Sequence, residues 1–175
     1  MRLFKIISLL FDSCFFVICG SVKFARKKGV KVGDNCRIYI KNWGSEPFLI
    51  ELGDNVTVTS GVRFLTHDGA TCLVKDTSGN RFQKFASIKV GNNVFIGVNT
   101  VIMPGVRIGN NVIVAAGSVV TKDLLSNSVY GGVTAKFIST FSDYEEKVKS
   151  HCVSNVDFNN NDLTYEERVN SCKLK

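Results

Sequence analysis

Among the chain's six cysteines, at 14, 19, 36, 72, 152 and 172, there is no Cys-x-x-Cys pair. No paired Cys/His cluster accompanies them either, which removes a zinc knuckle and a thioredoxin-like motif. They read as free thiols of a reducing compartment, with Cys14 and Cys19 as core-type residues of an apolar run. Histidine occurs only twice, at 67 and 151, and no metal site is expected. Nor is there an unbroken hydrophobic run long enough to span a bilayer. The stretch from Leu3 to Val22 is mostly apolar, but Lys5 and Asp12 interrupt it.

What remains is a chain of 175 residues, 45% apolar, which describes one globular domain with a modest core. Its formal charge of +7 first suggests a nucleic-acid binder. Residues 1–31, however, hold seven basic residues against Asp12, leaving a net +1 for the other 144. A protein that grips a phosphate backbone spreads its cations over the binding domain, so nucleic acid is disfavoured. Three readings fit the N-terminal segment, residues 1–29. One is a signal peptide ending near Cys19-Gly20-Ser21, which Asp12 and the cysteine content oppose. Another is a helix packed on its own body or on a neighbouring subunit. The third is a helix in the membrane interface, in which Lys23, Arg26, Lys27 and Lys28 face anionic headgroups and residues 1–31 make the peripheral contact.

From position 90 an aliphatic residue returns every sixth place, at Val90, Ile96, Ile102, Ile108, Val114 and Val120. Four places after the first five come Val94, Thr100, Val106, Val112 and Ser118. Six and four are even, so both sets lie on one side of an extended chain. The same register occurs earlier, at Val32-Gly33-Asp34-Asn35 with Ile38 and at Leu52-Gly53-Asp54-Asn55 with Val58 and Phe64. The Gly-Asp-Asn and Gly-Asn-Asn triplets supply tight turns, because Gly and Asn tolerate positive φ. Short strands turning at fixed intervals, with no helical period between them, predict a parallel solenoid that buries a continuous aliphatic column.

The register breaks twice. Between Phe64 and Val90 the aliphatic pattern disappears, which predicts a loop, about residues 66–87, extruded from the coil with His67 at its root. Between Ile38 and Leu52 there are 14 residues where regular hexads give 12, which predicts a lip carrying Asn42, Trp43 and Glu46. The pieces Thr66-His67-Asp68-Gly69, Phe95-Ile96-Gly97, Met103-Pro104-Gly105-Val106-Arg107-Ile108-Gly109 and Ala116-Gly117-Ser118-Val119-Val120-Thr121-Lys122-Asp123 carry a further signal. So does Gly131-Gly132-Val133-Thr134-Ala135-Lys136, which matches a family ending of Gly-x-Pro-Ala-Lys with Thr134 replacing the proline. Over about residues 30–140 the chain resembles the acyltransferase branch of the hexapeptide-repeat family, which includes maltose, galactoside and capsular-polysaccharide O-acetyltransferases.

The resemblance implies a left-handed parallel β-helix with three hexapeptides per coil, assembled as a homotrimer. It implies an acetyl-CoA-dependent O-acetyltransferase acting on a sugar or surface-polysaccharide hydroxyl, with a lipid-linked glycan as one such acceptor. His67 matches the catalytic base, since a neutral imidazole can take the proton of a hydroxyl that attacks a thioester. Glu46 is the candidate to orient it, and Asp68 shapes the loop or meets the acceptor. Positions matching contacts of the coenzyme A arm are Phe95, Val98, Ala116, Thr121, Lys122 and Lys136. Asn42 and Trp43 are candidates for the acceptor side, where Trp43 either stacks on a sugar face or covers the end of the column.

After Ile138 the period changes. Asp143–Lys149 and Thr164–Val169 each have an acidic first turn and later basic residues, which predicts helices. Asn155 and Asn159–Asn161 read as a connector between them. The expected organisation is therefore an N-terminal segment, 1–29, a β-helix, 30–138, and a helical tail, 139–175, in a cytoplasmic enzyme able to sit at the inner membrane face. Competing readings are an N-acetyltransferase on a nucleotide-linked amino sugar, a non-catalytic solenoid that binds a partner, and a zinc enzyme of the carbonic-anhydrase type. The last needs three histidine ligands, and the chain has two.

Overall fold

The structure is a computed structural model that describes residues 12–154 and 164–172. Residues 1–11, which include the first nine of the apolar run, and the asparagine-rich connector lie outside the described residues. A helix over residues 12–19 (α1) leads into α2 (Ser21–Lys27). Thirteen short strands follow, with two helices after them.

The strands wind through three sheets in fixed rotation. The first sheet takes β1 (Lys31–Val32), β3 (Ile50–Leu52), β6 (Ile88–Val90) and β9 (Arg107–Ile108). The second takes β2 (Arg37–Ile38), β4 (Val56–Val58), β7 (Val94–Ile96) and β10 (Val112–Val114), then β12 (Ser128–Gly131) and β13 (Lys136–Thr140). The third takes β5 (Arg63–Phe64), β8 (Val101–Ile102) and β11 (Val119–Val120). Every pairing is parallel except that of β12 with β13. The fold is thus mainly β, a three-sided coil of parallel sheets.

Pairing registers count the residues in each coil. Val94 pairs with Val112, eighteen residues on, which is three hexads. Lys31 pairs with Glu51, so that coil carries two extra residues, and Ile50 pairs with Ile88, so the next carries twenty. The two irregularities seen in the spacing are therefore insertions in consecutive coils. All eleven residues of the two periodic sets are buried, none more than 4% exposed. Two of them are polar and are satisfied inside the column, because the hydroxyls of Thr100 and Ser118 both donate to the carbonyl of Ala115.

One corner of the coil is built by asparagine. Asn35, Asn55, Asn93, Asn111 and Asn127 all have φ between 53° and 59°, a left-handed conformation that Asn adopts more cheaply than most residues. Their side-chain amides also form a ladder along the axis, with Asn55 donating to Asn93, Asn93 to Asn111 and Asn111 to Asn127, each at 2.8 Å. Beside this ladder the glycines admit close contact between coils. A Cβ on Gly91 would stand 2.8 Å from the Gly109 carbonyl.

Both ends of the coil are covered. The buried Phe24 and Ala25 of α2 close the first coil, while β13 runs antiparallel along the last edge and leads into α3 (Phe141–His151). Helix α3 starts with a capping box between Thr140 and Asp143, and α4 (Tyr165–Ser171) with one between Thr164 and Glu167. The N-terminal cations have partners within the chain. Lys27 and Lys28 both pair with Asp12, and the Arg26 guanidinium donates to the carbonyls of Val32 and Gly33. Three of the four named cations are held by the protein itself, because Asp12 lies beside them and the first turn presents unpaired carbonyls.

The asparagine corner yields a stability prediction. Asn93→Ala removes two ladder hydrogen bonds and puts a less tolerant side chain at φ 55°, and urea denaturation should show a loss of about 2 kcal/mol. Asn93→Gly removes the same bonds without the backbone penalty and should lose about 1 kcal/mol. Equal losses would show that the left-handed backbone contributes nothing.

Candidate functional site

The two insertions fall in adjacent coils, so they meet at one corner. Glu46 ends the shorter one, just before a 3-10 turn over Pro47–Leu49, and His67 opens the longer one, three residues after β5. The structure brings the two together, with His67 Nδ1 2.9 Å from Glu46 Oε2. The Glu46 side chain is 16% exposed and the His67 side chain 44%, so the carboxylate is enclosed while the ring reaches solvent.

Thr66 completes the arrangement. It is 1% exposed, and its hydroxyl donates to the same Glu46 oxygen at 2.6 Å. These two hydrogen bonds, Thr66's first and His67's second, hold the Glu46 carboxyl below the ordinary carboxylate range, against a smaller opposing effect of burial. An ionised Glu46 only accepts, so in the neutral ring Nδ1 carries the proton and Nε2 the lone pair. An imidazole so held can take a proton from a hydroxyl.

The loop itself is a twisted ribbon. His67 bridges Phe85 and Lys75 bridges Arg81, both antiparallel. The amide of Asp68 donates to Lys84 O and that of Ala86 to Thr66 O. The two limbs are thereby zipped, and the return limb comes back beside His67. The Phe85 ring lies 6.0 Å from the imidazole, tilted by 58°. His67, Asp68, Arg81, Phe82, Lys84 and Phe85 line a depression of about 160 Å³.

Of the acceptor-side candidates, Asp68 accepts from the Ala70 amide and caps a 3-10 turn over Gly69–Leu73. Asn42 is exposed, and its side-chain oxygen accepts from the Gly44 amide. Trp43 corrects the expectation of sugar stacking. It is 3% exposed and stacked on Phe64 at 5.5 Å, so its faces are spent covering the end of the aliphatic column. A large flat ring fills the space left where the first coil lacks a strand in the third sheet.

The residues expected to touch coenzyme A separate into groups. Val98 and the exposed Ala116 lie at one corner on successive coils, joined where the Gly117 amide donates to Val98 O at 2.7 Å. A Cβ on Gly117 would meet nothing within 4 Å, so this corner is low and open. Thr121 and Lys122 leave β11 at the corner that carries His67, two coils further on, because Leu65 donates to Ile102 O and Met103 to Val120 O. Strand spacing makes that separation about 10 Å. Lys122 and Lys136 are exposed and form no ion pair among the described residues. Phe95 stands apart from the others. It projects from the second sheet and lines a depression of about 260 Å³ with Phe141 and Tyr144.

Sequence reasoning passed over Thr66 as a partner of Glu46, although it stands inside the quoted Thr66-His67-Asp68-Gly69 motif. It also passed over Arg81, Phe82, Lys84 and Phe85, which no periodicity links to His67. Their place follows from the ribbon pairing alone.

The bacterial transferase hexapeptide (six repeats) family matches residues 87–122. The chain is 47% identical over 146 residues to Protein CapG of Staphylococcus aureus, a match covering 82% of this chain and 81% of that protein. It is 32% identical over 125 residues to the galactoside O-acetyltransferase of Escherichia coli K12, covering 71% of this chain and 61% of that one. A solved galactoside acetyltransferase in complex with coenzyme A superposes with a TM-score of 0.56 at 26% identity, over 71% of each chain. With the six-residue repeat and the coil of parallel sheets it forms, these likenesses make the chain a member of the hexapeptide-repeat transferase family, and an acyltransferase.

Proposed function

We propose that this acyltransferase moves an acetyl group from acetyl-CoA to a hydroxyl of a sugar or surface-polysaccharide acceptor, with His67 as the general base. The observation that carries the reading is the contact of His67 Nδ1 with Glu46, which leaves Nε2 as the basic nitrogen. The galactoside O-acetyltransferase supports it by its name, and the solved galactoside acetyltransferase by its complex with coenzyme A. The coil on this reading is left-handed and the assembly a homotrimer.

The residues present suit coenzyme A. An extended chain can lie close against the backbone at the low corner of Val98, Ala116 and Gly117, and two lysines without ion pairs, Lys122 and Lys136, are available to phosphates as point charges. When bound, coenzyme A supplies the acetyl group as an activated thioester. His67 takes the acceptor proton at Nε2 as the hydroxyl oxygen becomes nucleophilic. Glu46 holds the ring in the productive tautomer and stabilises the imidazolium that results. Thr66 keeps Glu46 ionised and fixed. Asp68 holds the loop through its cap on Ala70.

Replacing His67 by Ala should lower kcat for acetyl transfer by roughly 10²–10⁴-fold while the thermal shift on adding coenzyme A persists. Near-normal turnover in that variant would remove the base assignment. Glu46→Gln should lower kcat by a smaller factor, because the imidazole remains but its charged partner does not.

The depressed Glu46 pKa also has a measurable sign. The pairing with His67 is present above the ordinary carboxylate pKa and is lost as pH falls through the depressed one. Thr66→Val removes the largest cause, so a carbon-detected NMR titration should find the Glu46 carboxyl protonating at higher pH than in the parent protein. An unchanged titration would show that the Thr66 hydroxyl does not hold the carboxylate.

A further inference from the structure

The ribbon returns two cations to the base. Arg81 and Lys84 lie 14 and 17 residues beyond His67 in sequence, yet both line its depression. Neither forms an ion pair among the described residues. The acids that could neutralise them are engaged elsewhere. Asp76, at the ribbon tip, accepts from the amides of Ser78 and Asn80 and from the Asn80 side chain, and these bonds hold its carboxyl below the ordinary range. Glu46 is turned to Thr66 and His67. Asp68 also lines the depression, with one oxygen on the Ala70 amide. The two cations therefore outnumber the one carboxylate that shares their depression and is not turned to His67. The same limb adds Phe82 and Phe85 to the lining, each about half exposed, at 51% and 52%.

At about 160 Å³ the depression is well below the ~300–1,000 Å³ of pockets that enclose drug-sized ligands. It suits a single ring, with the remainder of a larger acceptor outside. Aromatic rings offer an apolar face to the C–H side of a sugar, and a guanidinium offers a bidentate fork to a planar oxyanion. A neutral sugar would leave both cations unused.

We infer that the acceptor of this transferase carries a negative charge, a carboxylate or a phosphate, which Arg81 and Lys84 bind beside the hydroxyl that His67 deprotonates. This rests on the reading of His67 as the base. The shared chemistry is an oxyanion next to a sugar hydroxyl, as in a sugar acid or a glycosyl phosphate. Because both cations are solvent-accessible, the preference weakens as salt is raised.

The test uses the full chain, acetyl-CoA and a matched set of acceptors: a neutral hexose, the corresponding hexuronic acid and the hexose phosphate. Product is detected by mass and kcat/KM is measured for each. One charged acceptor should exceed the neutral hexose by about tenfold or more, and Arg81→Gln with Lys84→Gln should reduce that ratio by about as much. Which charged acceptor responds separates carboxylate from phosphate. Equal or better use of the neutral hexose, with the transfer still dependent on His67, would overturn the inference and leave the acetyltransferase reading standing. Variants that raise KM for acetyl-CoA without changing the acceptor ratio would assign the cations to the donor and also overturn it. Failure of the parent protein to acetylate any of the three would remove the sugar-hydroxyl acceptor of the proposed function and this inference with it, while membership of the acyltransferase family stands.

Discussion

Eighteen-residue parallel pairing between successive coils is the constraint on which everything else depends. It stacks Val on Val and Ile on Val down the interior, so that strands of two or three residues, which could not persist alone, share one continuous core. Such pairing is possible only if the corners are sharp and thin. Asparagine at positive φ makes one corner sharp and then bonds to the asparagine of the next coil, so one residue type serves both the turn and the stacking. Glycine at 33, 53, 91 and 109 makes the adjoining position thin enough for backbone to meet backbone.

A rigid coil of this kind turns insertions into function. Extra residues cannot be absorbed along strands of two or three residues without losing the pairing register that stacks the coils, so they leave the coil at a corner. Here two insertions in consecutive coils emerge side by side, one ending in Glu46 and the other beginning at His67. Their contact is a consequence of coil stacking, not of any local turn. Thr66 belongs to both worlds, its side chain buried as part of the coil while its hydroxyl holds the Glu46 carboxylate. The ribbon after it then folds back through His67 with Phe85 and Lys75 with Arg81, and so brings charges from a remote stretch of sequence to the depression that His67 lines.

The ends of the coil show how local charge and apolarity are redirected by packing. The N-terminal excess of cations reads in sequence as belonging either to a helix packed on its own body or to one facing an anionic surface, and in the structure Asp12 takes two of them and the first turn's carbonyls take a third. The lone tryptophan reads as a ring available to a sugar, yet the first coil lacks a strand in the third sheet and Trp43 covers the gap against Phe64. Both residue types were noticed for the right reason, their rarity or their clustering. Their partners lie between 6 and 21 residues away and have no periodic relation to them.

Sequence by itself determined the coil, because a six-residue return of Val and Ile with small and Asn-rich turns has one economical burial solution, and period is a local property that survives without coordinates. It also located both insertions, since a broken period is as legible as an intact one, and singled out His67 and Glu46 at their margins. Tertiary structure alone decided what those insertions do to each other. It set the Glu46–His67 distance, brought the Thr66 hydroxyl onto the same carboxylate oxygen, returned Arg81 and Lys84 to the base and withdrew Trp43 into the core. These are contacts between segments whose separation in sequence follows no repeat, so they arise only when coils of unequal length are stacked in register.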